Sequence, residues 1–76
     1  MTKLPRDISG QETIKVLRKL SYYPVRQKGS HVILLGPTGR IITVPLHKSL
    51  KTGLLRAILR EVGISVKIFK ELLDDP

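Results

Sequence analysis

"HVILLGPTGRIITV" (31–44) decides the fold. Two short apolar runs, 31–35 and 40–44, stand on either side of Gly36-Pro37-Thr38-Gly39. Glycine and proline at that spacing turn the chain back on itself, so the runs read as neighbouring antiparallel strands. Upstream, "YYPVRQK" (22–28) is separated from the first run by Gly29 and Ser30 alone. It reads as a third strand. Pro24 lacks an N–H and suits an edge position. Three strands joined by short turns form an antiparallel meander, which Pro45 ends. The near-continuous apolarity of 32–35 suggests that part of the sheet's second face is covered as well.

Helical patterns flank the meander. Ser9 and Glu12 make the S-x-x-E capping-box pattern ahead of a helix near residues 10–20. At 100° per residue, Thr13, Ile14, Val16, Leu17 and Leu20 share one side, and Lys15, Arg18 and Lys19 the other. After the basic connection 46–53, Leu54, Leu55, Ile58, Leu59 and Val62 form a second stripe that stops at Gly63. Ser65 is placed to cap a short last helix carrying Val66, Phe69, Leu72 and Leu73. The expected class is α+β, an α-β-β-β-α sandwich with an antiparallel three-stranded sheet, helices on one face and a short C-terminal helix. That order is also the plan of a double-stranded-RNA-binding domain, though order alone fits several folds. The length of 76 residues suits a single domain, 1–76, with loose ends at 1–8 and 74–76.

Composition narrows the function. A domain this small buries only roughly 60% of its unfolded surface, which disfavours a deep cavity. The chain has no cysteine, so it carries neither disulfides nor thiolate metal sites. No run approaches the roughly 18 apolar residues of a membrane span, and the start has no signal core; a cytoplasmic protein is expected. Lys and Arg number 14 against 6 Asp and Glu, a net charge of +8. A field of that sign draws polyanions, nucleic acid first and an acidic protein second. The carboxylates sit near helix ends and the tail, not clustered as a two-metal nuclease requires. No cofactor and no metal is expected.

Two histidines remain as groups that titrate near neutrality. His31 opens the second strand and His47 follows the third. In a meander those ends are neighbours, and Lys28, Lys48 and Lys51 fall near them. RNA brings its own nucleophile, the 2′-hydroxyl, so an imidazole and nearby cations suffice for cleavage. The residues themselves leave alternatives open. His31 fits a strand-edge imidazole as well as a catalyst, and His47 fits a solvated loop residue as well as a second acid–base group. Gly29 and Ser30 fit a plain turn or one shaped for RNA approach. Lys48, Lys51, Arg56 and Arg60 fit a solvated face or phosphate contacts.

The stretches "GSH" (29–31), "VPLH" (44–47) and "GLLRAILREVGIS" (53–65), with "SGQETIKVLRKLSYYPVRQKGSH" (9–31), resemble the HicA toxin family of toxin–antitoxin modules. The likeness covers roughly residues 9–66. It implies a double-stranded-RNA-binding-domain-like fold and a type II toxin, a small mRNA interferase that cleaves mRNA and arrests translation. The histidine of G-S-H is catalytic in that family and falls on His31. The resemblance also implies a HicB-like antitoxin that masks the active site and carries any contact with operator DNA. Three positions depart from the family pattern. Ser21 stands where glycine is common, Lys48 where glycine often follows the histidine, and Leu54 within the usual G-T-L. The alternative is a non-catalytic double-stranded-RNA-binding module, which needs the basic face but not His31.

Overall fold

The computed structural model describes residues 3–75. The order is α1 (Gly10–Lys19), β1 (Tyr23–Lys28), β2 (His31–Leu35), β3 (Ile41–Pro45), α2 (Thr52–Val62) and α3 (Val66–Asp74). The strands form one antiparallel sheet, β1-β2-β3, with β2 central. The expected α+β plan holds, with Tyr22 outside β1 and Pro45 closing β3.

Local chemistry sets the element ends. Ser9 Oγ accepts from the Glu12 N–H at 3.0 Å, and Glu12 Oε1 accepts from the Ser9 N–H at 3.0 Å, completing the capping box. Ser65 Oγ accepts from the Ile68 N–H at 3.1 Å and caps α3. Gly63 closes α2 in the left-handed conformation. Ser21 is also left-handed (φ 68), at a place where a glycine carries no Cβ penalty.

The sheet's two faces differ sharply. Val32, Leu34, Ile42 and Val44 point to the helices and are buried with Val16, Leu17, Leu55, Ile58, Leu59 and Phe69. Their alternation with exposed neighbours is the period of two expected for a sheet with one covered face. The other face stays open, and no element among the described residues lies over it. The apolarity of 32–35 therefore does not reflect a second covering layer within this chain: Leu35 is exposed and Ile33 only half-buried.

Register lines the open face with three cross-strand rows. Tyr23, Leu35 and Ile41 make one; Arg26, Ile33 and Thr43 the next; Lys28 and His31 the third, which ends at Pro45, buried where the chain turns toward α1. A bulge between Pro24 and Arg26 kinks β1 and leaves Val25 unpaired. Bulge and proline together blunt this edge strand against further pairing.

Residues near both ends of the described span are held by contacts to the rest of the fold. Ile8 is buried, and its carbonyl accepts from the Leu50 N–H at 2.7 Å. Lys19, read from the sequence as part of the outer face, instead donates to the carbonyls of Leu72, at 2.7 Å, and Asp75. A cation there satisfies the unpaired carbonyls of α3's last turn. The expectation of loose ends falls partly on Met1, Thr2 and Pro76, which lie outside the described residues. No described helix is long and apolar enough to cross a membrane.

A candidate two-histidine active site

His31 is held by a tight hairpin. Lys28 and His31 pair across β1 and β2, leaving Gly29 and Ser30 as a two-residue loop. Gly29 has φ 58, while Ser30 stays out of the left-handed region; a two-residue hairpin with glycine first and positive φ there alone fits the II′ pattern. Gln27 Nε2 donates to the Gly29 carbonyl at 3.0 Å and steadies the loop. His31 therefore leaves the turn as the first residue of the central strand, exposed on the open face.

His47 arrives from the other side. The Leu46 N–H donates to the Ser30 carbonyl at 2.6 Å, extending the β2–β3 pairing past the end of β3. The His47 carbonyl accepts from the Gly10 N–H, the first residue of α1, at 2.9 Å. These two bonds fix the backbone on both sides of the Leu46–His47 peptide. The imidazoles of His31 and His47 then stand 6.5 Å apart between centroids, with planes inclined at 72°. At that distance and angle the two exposed rings stand edge to face, within the range of an aromatic pair.

The cations divide into two sets. Lys28 lies directly opposite His31, a relation that places Cβ atoms about 4.5–5.5 Å apart. Lys48 is the next residue after His47, and Lys51 is the N-cap of α2, its side chain making no capping bond. Arg60 lies in the last turn of α2 and lines a groove with Pro37, Thr38 and Arg40 of the β2–β3 turn, at the opposite end of the sheet from His31. Arg56 borders the α2–α3 junction beside Arg60. The structure thus brings His31, His47, Ser30, Gly29 and Lys28 together at one end, with Lys48 following His47 in the chain; Lys51 stands at the head of α2 beside residues 4–7, and Arg56 and Arg60 lie elsewhere. Among the described residues, no three His, Cys, Asp or Glu side chains gather closely enough to hold a metal ion.

Gly10 is the supporting residue that sequence reasoning missed. A Cβ built there overlaps the Pro45 carbonyl oxygen and comes within 2.9 Å of its carbon and 3.1 Å of the Leu46 Cα. The neighbour is backbone, so it cannot swing aside as a side-chain tip does. The signal was present: a glycine directly after a strong N-cap gives up helix propensity, which makes sense where a second backbone comes close. Gly10→Ala is expected to lower stability by about 1–3 kcal/mol. Propensity alone points the other way, to a gain of up to about 1 kcal/mol. A urea unfolding midpoint that rises in the variant would show that the backbone approach is not tight.

The family model described as the HicA toxin of bacterial toxin–antitoxin systems matches residues 10–64, from the first residue of α1 to just beyond α2. No individual curated protein matches the chain.

Proposed function

Since the match takes in well over half of its 76 residues, the chain belongs to the HicA toxin family, and we propose that it is a metal-independent endoribonuclease that cleaves mRNA through His31 and His47. Membership makes it a toxin of a toxin–antitoxin system with a cognate antitoxin as partner. The observation that carries the catalytic reading is the meeting of two exposed imidazoles, 6.5 Å apart, beside Lys28.

The chemistry follows from that pair. His31 accepts the proton of an RNA 2′-hydroxyl, and the freed oxygen attacks the adjoining phosphorus. A new O2′–P bond forms and the P–O5′ bond breaks, its electron pair leaving with the 5′-oxygen. His47 gives that oxygen a proton. The products are a 2′,3′-cyclic phosphate and a 5′-hydroxyl. Proton-transfer partners sit about 2.6–3.2 Å from the atom they serve, so the base and the acid must both reach one phosphoryl group, and the two exposed rings are near enough to share one. Lys28 and Lys48 offset the negative charge that builds on the non-bridging oxygens. Gly29 and Ser30 let the backbone come near, and Lys51 adds a phosphate contact at the start of α2. A HicB-like antitoxin neutralises this site, and the cytoplasm, where mRNA is translated, is the place of action.

Incubation with a single-stranded RNA in excess chelator tests the reading. The expected products carry cyclic phosphate and 5′-hydroxyl ends, and a single 2′-deoxy substitution blocks cleavage at its own position. Cleavage that the chelator abolishes overturns the metal-independent route. Binding without cleavage would favour a non-catalytic RNA-binding module, for which the juxtaposed histidines have no use.

A further inference from the structure

The chain has two tyrosines and one phenylalanine, and it treats its tyrosines oppositely. Tyr22 is 5% exposed and part of the core, whereas Tyr23, the next residue, is 53% exposed on the open sheet face. Leu35 and Ile41 flank it in the same row and are also exposed. Folding does not need an aromatic ring there. Two rows farther along the same face stands His31, about 14 Å away at the usual rise of about 3.4 Å per strand residue. Arg26 and Lys28 occupy the two rows between and beside them. None of the three strands carries an Asp or Glu.

The geometry points to this face as a track for single-stranded RNA, with one base stacked on Tyr23, phosphates on Arg26 and Lys28, and the strand running on to the histidine pair. The inference rests on the ribonuclease reading and names the form of substrate it takes. An aromatic platform beside a cationic path is how proteins hold single strands, because every base offers a π face. A duplex keeps its bases stacked inside and offers none to Tyr23. A polypeptide partner would also bury the apolar row. The cations between Tyr23 and His31, on strands without a single carboxylate, favour the polyanion.

Binding and fluorescence test it together. In a His31→Ala background, which prevents turnover, Tyr23→Ala is expected to weaken binding of a single-stranded RNA decamer by about ten-fold and Tyr23→Phe to restore it. The same decamer annealed as a duplex should respond far less. With Tyr22→Phe added, Tyr23 becomes the sole tyrosine, and the single strand should quench its emission, a signature that a merely structural role would not give. Unquenched emission, or equal binding by Tyr23→Ala and its parent, overturns the track. So does loss of affinity for a protein antitoxin with RNA binding intact. Quenching by a wild type that cleaves nothing would sink the ribonuclease reading and leave the track standing. Cleavage without quenching would do the reverse.

Discussion

Replacing His31 with alanine should lower RNA cleavage by at least 10²–10⁴-fold, the range typical of a general acid–base group, while the protein stays folded and still binds RNA. The size follows from the role. Without an imidazole at the start of β2, the 2′-hydroxyl has no positioned acceptor for its proton, and Lys28 cannot serve as one while it carries its charge. Stability should change by no more than about 0.5 kcal/mol, because His31 is exposed and contributes nothing to the core. His47→Ala should bring a loss of similar order. The double variant should be little worse than either single one, since groups that act on one transition state are not additive. Cleavage by His31→Ala at the parental rate would remove the histidine from the mechanism. Selective loss in His31→Ala with His47→Ala unaffected would keep His31 and assign the second proton transfer to water.

The sheet was legible because its signals are local. Gly36 to Gly39 makes a turn from four consecutive residues, and Ser9 with Glu12 makes a cap from residues three apart; neither waits on the rest of the chain. The likeness in 29–31, 44–47 and 53–65 is local in the same sense, and the role it implies for His31 rests on those residues. What local signals left open was set by contacts between distant residues. The meander order already makes His31 and His47 neighbours, but their facing depends on strand register, where a slip of one residue reverses every side chain, and on the bond from Gly10 to the His47 carbonyl. The position of Arg60 depends on which end of α2 approaches the histidines. The second helix does begin at that end, but eight residues from Thr52 to Arg60 carry the guanidinium about 12 Å along the axis, toward the β2–β3 turn. Lys19 misled for a related reason. An angular projection assigns it to the solvent side, but α3 packs against α1 and offers carbonyls to it. Charge pattern shows which residues are cationic; only tertiary packing shows which of them meet a phosphate and which close a helix.

Phe69→Ala should be the most damaging single truncation in the core, at about 3–5 kcal/mol. The matched residues end at 64, so a reading of family likeness alone treats α3 as an appendage. The packing says otherwise. Phe69 is fully buried and is the largest of the fully buried side chains. It sits on a helix that packs against both α1 and α2. A domain of this length has a total stability of about 4–11 kcal/mol at the usual 0.05–0.15 kcal/mol per residue, so the loss takes up a large share of it. In a thermal scan the midpoint should fall by more than about 12 °C, given 4–8 °C per kcal/mol at this size. Phe69→Leu, which keeps most of the volume, should recover much of the difference. The site lies at the far end of a chain of contacts from this ring: α3 supports α1, and Gly10 at the head of α1 holds the His47 backbone. Activity of Phe69→Ala should therefore fall with the folded fraction and return when a low temperature or a stabilising osmolyte restores folding. His31→Ala should not be rescued in this way. An unfolding midpoint for Phe69→Ala within a degree or two of the parent would mean that α3 packs loosely and that residues 10–64 hold the histidine pair without it.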